Sequence, residues 1–353
     1  MSEMSAATLI HRYFVVTKEI DGPDGPVEWL LSDPNETLPP DCRYFGSALA
    51  EMDRILAARG GRSQLHVYVT WDWRKLPEYG DHVVVLLLGE ELGLVPRYVR
   101  HVRAVFKTMR IRPTFGATFR RPGSFELLLG LKLARNWLLH LHSRWQAWLV
   151  PRHWPERLKK EIEILDVPLG YYRQTAVPQR TMAQRAFHCF FAGEIAAPRS
   201  TLARYLLPTT PKQYARRKML ATVDRLSQSE SRFRYDGGGI GSGRLSPDEY
   251  SRRLMNSKIC LAPRGSVPDT FRFFEGLRAG CLVVCERLTR EWFYAGAPVI
   301  QLADWDEFPT IVKRYLDDDD ALEQARLRSL DWWERKCSEI AVGRAMADYL
   351  IKQ

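Results

Sequence analysis

Residues 258–285 read KICLAPRGSVPDTFRFFEGLRAGCLVVC. An apolar strand, a loop broken by two prolines, an apolar helix stopped by Gly280 and a second apolar strand succeed one another within 28 residues. A strand, helix and strand so closely linked must place their two strands parallel in one sheet. A parallel sheet is covered by helices on its faces and binds ligands beyond the carboxyl ends of its strands. This one run therefore predicts a doubly wound α/β domain and says where in it to look for chemistry.

The remainder of the 353 residues is consistent with two such domains, because a single core rarely grows to this size. Strand-like runs at Arg12 to Thr17, His66 to Thr70 and His82 to Leu88 alternate with a helix-like run from Tyr44 to Arg59. After RPGS at 121–124 comes a long basic, tryptophan-rich helical stretch, and the connector DVPLGYYRQTAVPQR at 166–180 marks the domain boundary. A second series starts with the strand AFHCFFAG at 186–193. It continues through helices from about Arg199 and from Pro211 to Leu226, a glycine-rich turn at 236–243, and SPDEYSRRLMNS, whose Ser246 and Glu249 have capping-box spacing. The expected division is residues 1–165, a linker over 166–185, a ligand-binding domain over 186–335, and a helix over 336–353 packing back on the first domain.

Composition narrows the function classes. With 45% apolar and 27% charged residues the chain is a folded protein rather than a disordered one. Its six cysteines lack CxxC or paired-histidine spacing, which reads as reduced core thiols and not as a disulfide frame or zinc site. No run of 18 uncharged apolar residues occurs and the first residues lack a signal-peptide pattern, so a cytoplasmic location is expected. The net charge of +10 is concentrated: Leu94 to Lys160 holds 15 Lys or Arg against two acids, and the rest of the chain is slightly negative.

The loop after KICLA has the makings of an anion site. Its helix starts near Asp269 or Thr270, either of which can cap it, and first-turn amides attract negative charge. Arg272 lies at the positive end of the helix dipole, where it needs either Glu275 one turn on or an external phosphate. Arg264 adds a second guanidinium suited to phosphate oxygens. Gly276, Ala279 and Gly280 are small residues that mark close backbone or ligand approach, and Glu275 could accept from a ribose diol. The stretch suggests a nucleoside diphosphate ligand.

NSKICLAPRGSVPDTFRFFEGLRAGCLVV resembles the signature of the exostosin-like glycosyltransferases, and FFAGEIAAPRSTLARYLL upstream and PVIQLADWDEF downstream are similar to further segments of that family. The resemblance covers roughly residues 186–316. It implies a GT-B architecture, two Rossmann-like doubly wound domains facing a cleft, with the nucleotide-sugar donor on the second and the acceptor on the first. It also implies an inverting, metal-independent sugar transfer without a cofactor, with a donor linked to uridine diphosphate. Carried onto this chain, Gly193, Arg199, Arg264, Ser266, Thr270 and Arg272 would surround the diphosphate and Glu275 would hold the ribose. The chain departs from the family pattern at Asp269-Thr270 and at Val284-Cys285, although Thr270 keeps a hydroxyl.

Inverting transfer needs a base for the acceptor hydroxyl. Candidates past strand ends in the first domain are Glu90, which comes first, then Asp72, set between Trp71 and Trp73, and Glu91; each could equally be a cap, and the tryptophans could be sugar platforms or core. Asp304 and Asp306 form a DxD, but their position before a helix favours Asp306 as a cap over a metal ligand. His101, His140, His142 and His153 read as surface or interface residues.

Leu127, Leu131, Trp137, Leu138, Leu141, Trp145 and Trp148, interleaved with Lys132, Arg135 and Arg144, look like a basic amphipathic helix. It either docks on an anionic membrane surface to reach a saccharide or lipid-linked saccharide acceptor, or forms a buried helix of the first domain. A nucleic-acid-binding protein is the rival class, but it leaves the PRG…FR..E unit without a purpose; a third reading is a polyanion-binding, transferase-like protein that has lost catalysis, which activity toward any sugar nucleotide would exclude.

Overall fold

The structure, a computed structural model, describes residues 11–16, 25–31, 38–39, 42–60, 64–109, 124–149, 161–172, 174–193, 210–237, 245–316 and 318–352, with side chains between 124 and 149 described from residue 130 onward. The chain divides into two compact units, one of residues 1–113, 131–168 and 338–353, the other of residues 114–130 and 169–337.

The first unit is built on a six-stranded sheet. Strands β1 (Arg12–Val16), β2 (Val27–Glu28), β3 (His66–Thr70), β4 (Gly80–Leu87), β5 (Val102–Lys107) and β6 (Leu165–Asp166) lie in the order β2-β1-β3-β4-β5-β6. All neighbours are parallel except β2, which runs antiparallel to β1. Val83 to Leu87 of β4 are buried throughout, as a central parallel strand covered on both faces requires. Strand β5, VRAVFK, escapes hydropathy because Arg103 and Lys107 interrupt it. Lys107 is nevertheless fully buried, its charge met by Glu90 at 3.0 Å. Helix α1 (Cys42–Ala58) packs on the C-terminal helix α8 (Glu339–Ile351), and Gly343 permits the approach: a Cβ there would stand 2.4 Å from the Ala48 carbonyl oxygen.

Helix α2 (Ser124–Gln146) lies between β5 and β6 in sequence. Its Asn136, His140, Ser143 and the following Ala147 are buried. Ser143 Oγ accepts from the Val95 amide at 2.9 Å, and His140 Nδ1 lies 2.6 Å from the Gly93 carbonyl. His101 is buried as well. The surface expectation therefore holds for His142 alone among the described histidines of this segment, because His101 and His140 are buried. His153 lies outside the described residues.

The second unit contains β7 (Phe187–Phe190), α3 (Pro211–Ser229), β8 (Tyr235–Asp236), α4 (Pro247–Met255), β9 (Ser257–Ala262), α5 (Phe271–Arg278), β10 (Leu282–Glu286), β11 (Ile300–Leu302), α6 (Phe308–Lys313) and α7 (Asp319–Trp332). Its five strands are all parallel, in the order β11-β10-β9-β7-β8. From β7 the chain moves one way to β8, then crosses back to β9 and continues the other way to β10 and β11. That reversal is the topological switch of a doubly wound sheet, and it opens a crevice past the carboxyl ends of β7 and β9.

The opening run forms the predicted parallel pair, with Ile259 opposite Leu282 and Leu261 opposite Val284. Gly276 exists for packing: a Cβ there would meet Val283 Cγ2 at 2.8 Å and Cys260 Cβ at 2.9 Å, so only glycine lets α5 lie this close to the sheet. Gly280, at φ +66°, terminates the helix as expected. Ser246 caps α4 by accepting from the Glu249 amide, but the Glu249 carboxylate turns to Arg253 at 2.6 Å instead of closing a capping box. Arg185 is buried and donates to the carbonyls of Ser257 at 2.9 Å, Ala279 at 2.7 Å and Arg180 at 3.1 Å, which ties the start of β9 to the end of α5. All six cysteines are free and buried. No described helix is long and apolar enough to cross a membrane.

Candidate functional site

The exits of β7 and β9 carry several of the second unit's charged side chains. Strand β7 ends in Phe190, and Phe191, Ala192 and Gly193 lead out of it. Arg272, in the first turn of α5, reaches back across this exit: its Nε donates to the Ala192 carbonyl at 2.5 Å and its guanidinium lies 5.0 Å from the Phe191 ring centroid. A Cβ on Gly193 would stand 2.3 Å from Arg272 Nη2, so the glycine is what leaves room for the arginine. Gly193 and Arg272 are thus brought together although 79 positions apart in sequence.

Arg272 makes no ion pair with Glu275 among the described residues. The Glu275 carboxylate is buried and held otherwise, by the Tyr250 hydroxyl at 2.5 Å and the Tyr172 amide at 3.1 Å. Burial, then the adjacent carboxylate, keeps the Tyr250 phenol well above its usual titration range. Instead of the i,i+3 pairing, one fixed donor sits on each of the two oxygens. Each oxygen retains a lone pair that a ligand hydroxyl can use.

Arg264 is buried in the loop after β9, Ser266 is half-buried, and Thr270 is buried at the start of α5. Thr270 is the N-cap by backbone conformation, yet its hydroxyl makes no cap hydrogen bond. Asp269 accepts from the Tyr294 hydroxyl at 2.7 Å. Arg199 lies outside the described residues.

Two residues of this crevice escape a reading of the sequence. Arg216 is buried on α3, on the same face as Met219 and Val223, and its guanidinium lies 5.8 Å from the Phe191 ring that Arg272 also covers. A charge on the apolar periodicity of α3 is its only signal. Glu286 ends β10, one strand over from Arg264. Trp305 Nε1 donates to its Oε1 at 3.0 Å, while the fully shielded Oε2 has no partner among the described residues. Burial pushes the Glu286 carboxyl up, and the Arg264 charge and the Trp305 hydrogen bond offset that only in part. It is a strand-end acid like Glu90, and the same rule applied to CLVVCE would have found it.

The DxD pair is a corrected expectation. Asp304, not Asp306, is the cap, accepting from the Asp306 amide at 2.8 Å. Lys218 contacts Asp304 at 2.5 Å and Asp306 at 3.2 Å, and Arg225 contacts Asp306 at 2.9 Å. Both acids thus face cationic side chains of α3.

In the first unit the three acids lie past the carboxyl ends of β3 and β4. Glu90 is buried, its oxygens accepting from the amides of Leu92 at 2.7 Å and Leu94 at 2.6 Å, with Lys107 against Oε2. Glu91 is exposed on the turn. Asp72 is half-buried between the half-buried Trp71 and Trp73, with Oδ1 accepting from the Arg74 amide at 2.6 Å.

The raised Glu286 carboxyl carries a stability signature. The native state holds this proton more tightly than the unfolded chain, so ionisation costs stability as pH rises above the ordinary glutamate range. Glu286→Gln, which cannot ionise, should gain stability relative to the parent as pH rises above the ordinary glutamate range towards the raised native titration. Urea unfolding of both proteins across that range measures it; a difference independent of pH would contradict the raised value.

With this geometry in view, residues 214–335 match the family model described as glycosyl transferase-like. A stretch of 64 residues is 38% identical to the Exostosin-1 homolog of Caenorhabditis elegans, covering 18% of this chain and 15% of that protein's length. Among solved structures, AviGT4, a glycosyltransferase involved in avilamycin A biosynthesis, is similar over 96% of this chain and 97% of its own, at 11% identity and TM-score 0.38. WaaG, a glycosyltransferase of lipopolysaccharide biosynthesis, is similar over 88% and 96%, at 11% identity and TM-score 0.37. At such scores the architecture rests on the two parallel sheets themselves. The matched segment, residues 214–335, contains the run from Lys258 to Cys285 that forms one wall of the crevice.

Proposed function

We propose that the protein is an inverting glycosyltransferase that moves a sugar from a nucleoside diphosphate donor, uridine-linked on the family resemblance, to a saccharide acceptor. The observation that carries this reading is the Arg272 guanidinium seated over Gly193 at the β7/β9 switch point, with Arg264 and the first turn of α5 beside it. Fixed guanidinium and amide donors at the end of parallel strands match what a diphosphate leaving group requires as its negative charge develops. In this reading Glu275 accepts from the ribose, Ser266 and Thr270 offer hydroxyls to the phosphates, and Arg199 joins them. No metal is assigned to the step, since the arginines supply the positive charge. A screen of nucleoside diphosphates and sugar nucleotides by thermal shift is the direct test: a ligand at 100 times its Kd stabilises by about 2.7 kcal/mol. Arg272→Ala should weaken that ligand by roughly tenfold or more, as loss of a charge-assisted bond would. No shift with any diphosphate would refute the donor site.

For the base we put Asp72 ahead of Glu90 and Glu91. The Glu90 oxygens are already committed to two amides and Lys107, and Glu91 lacks a framing surface. Among the described residues Asp72 Oδ2 has no hydrogen-bond partner, and an indole stands on either side of it along the chain. Asp72→Asn should lower kcat by about 10²-fold or more with donor binding retained, whereas Glu91→Gln should stay within a few-fold. The reverse pattern, read by steady-state kinetics, would move the base to Glu91.

A second reading concerns where the enzyme works. Helix α2 buries one face yet leaves Leu131, Leu138, Leu141 and Trp145 exposed by 57 to 68% on the other, with Trp148 and Leu149 following and Arg135 and Arg144 alongside. A solvent-facing stripe of leucine and tryptophan flanked by arginine has the chemistry of an anionic lipid surface, which fits a lipid-linked acceptor and peripheral attachment. The protein should float with vesicles rich in phosphatidylglycerol at low salt, and L138S/W145S should not. Equal flotation of the two proteins, or none of either, would end this reading.

A further inference from the structure

The amino edge of the first sheet, opposite the end that carries Asp72 and Glu90, holds a cluster that the sugar-transfer reading does not use. His66 begins β3, Glu78 lies two residues before β4, and His82 is the third residue of β4. One ligand atom from each lies within 4.8 Å of the other two. His66 Nδ1 contacts Glu78 Oε1, and His82 Nε2 lies 3.5 Å from Glu78 Oε2. The two imidazoles meet edge to face at 5.2 Å.

We propose that His66, Glu78 and His82 form a binding site for a divalent transition cation, Zn²⁺ foremost. Two imidazoles and one carboxylate are a borderline donor set, suited to Zn²⁺, Co²⁺ or Ni²⁺ and poor for Mg²⁺ or Ca²⁺, which want oxygen. A tetrahedral zinc with ligands at about 2.0–2.1 Å needs donor atoms roughly 3.3 Å apart. The Glu78 to His82 separation is close to that, the His66 to Glu78 contact needs to open slightly, and the two imidazoles offer ligand atoms within 4.8 Å of one another, so small side-chain rotations complete the set. The fourth position faces outward, since His82 is 45% exposed.

Three further features make this a built site and not a chance grouping. The Tyr68 hydroxyl donates to Glu78 Oε1 at 2.8 Å, the kind of outer contact that orients a metal-binding carboxylate. Phe14 backs His66 edge-on at 5.6 Å. Gly80 adopts φ +144°, and a Cβ there would lie 2.8 Å from His82 Cε1 and Nδ1, so the backbone is cleared for this ring. The one nearby guanidinium on the adjoining strand, Arg12, is already paired with Glu28 at 3.0 Å.

The location gives the cation a purpose. Strands β3 and β4 are parallel, yet residues 71–79 join them without a helix, a crossover shorter than the dozen or so residues such connections usually take. Glu78 pins the returning end of this crossover to the start of β3. A bound cation would replace hydrogen bonds with coordinate bonds and stiffen the loop whose other end carries Trp71, Asp72 and Trp73.

Titration of the full, chelator-stripped chain with ZnCl₂ by calorimetry is the test. The expected result is one equivalent bound with micromolar or tighter Kd, a rise in Tm reversed by EDTA, and no response to Mg²⁺ or Ca²⁺. His82→Ala, at an exposed position, and Glu78→Gln should each weaken binding at least tenfold while circular dichroism stays unchanged. Zinc binding equal in parent and both variants, or none in the parent, would overturn the site whatever the outcome of the nucleotide screen.

Discussion

The pairing of β7 with β9 is the constraint on which the second unit depends. Because β8 lies on one side of that pair and β10 and β11 on the other, the loops leaving β7 and β9 diverge and leave an open crevice between them. Everything proposed for the donor follows from what those two exits carry: Gly193 on one, Arg264 and the first turn of α5 on the other. Arg272 then bridges the two, fixed through a backbone carbonyl of the opposite strand's exit. A guanidinium immobilised in this way gives up little freedom when an anion arrives, which is the advantage of building such a site on sheet and helix ends.

Sequence patterning reaches the framework and stops short of the partners. Strand β3 and the pair β9 and β10 are legible because their apolar runs are short and clear, with Pro263 closing β9 and Gly280 preceding β10. Strand β5 is not, because Lys107 breaks its pattern and only the distant Glu90 makes that burial tolerable. At the site, glycine and arginine at strand ends were readable as an anion cradle, whereas their actual contacts were not. Arg272 and Glu275 are one helical turn apart and still choose Ala192, Tyr172 and Tyr250, choices decided by segments about 25 to 100 residues away. Arg216 is hidden for the same reason, since nothing local says that an arginine among Met219 and Val223 faces a ring at the end of another strand.

Glycine is used in two distinct ways around the crevice. Gly276 removes a side chain so that helix and sheet can touch, and Gly193 removes one so that an arginine can lie flat. The first is a matter of core packing and the second of recognition, although both look alike in sequence. In the first unit, Gly80 clears space for His82 and Gly89, at φ +69°, for Trp71, whose indole Cδ1 would stand 2.8 Å from a Cβ there.

The buried thiols have a consequence of their own. Cys42 belongs to the first unit, while Cys189, Cys260, Cys281, Cys285 and Cys337 belong to the second, and burial raises the titration of those five. A thiol that is both covered and protonated reacts with an alkylating agent only when its surroundings open. The chain thus contains a native set of clocks: the rate at which each cysteine becomes accessible times the breathing of its own unit, without any label having to be introduced.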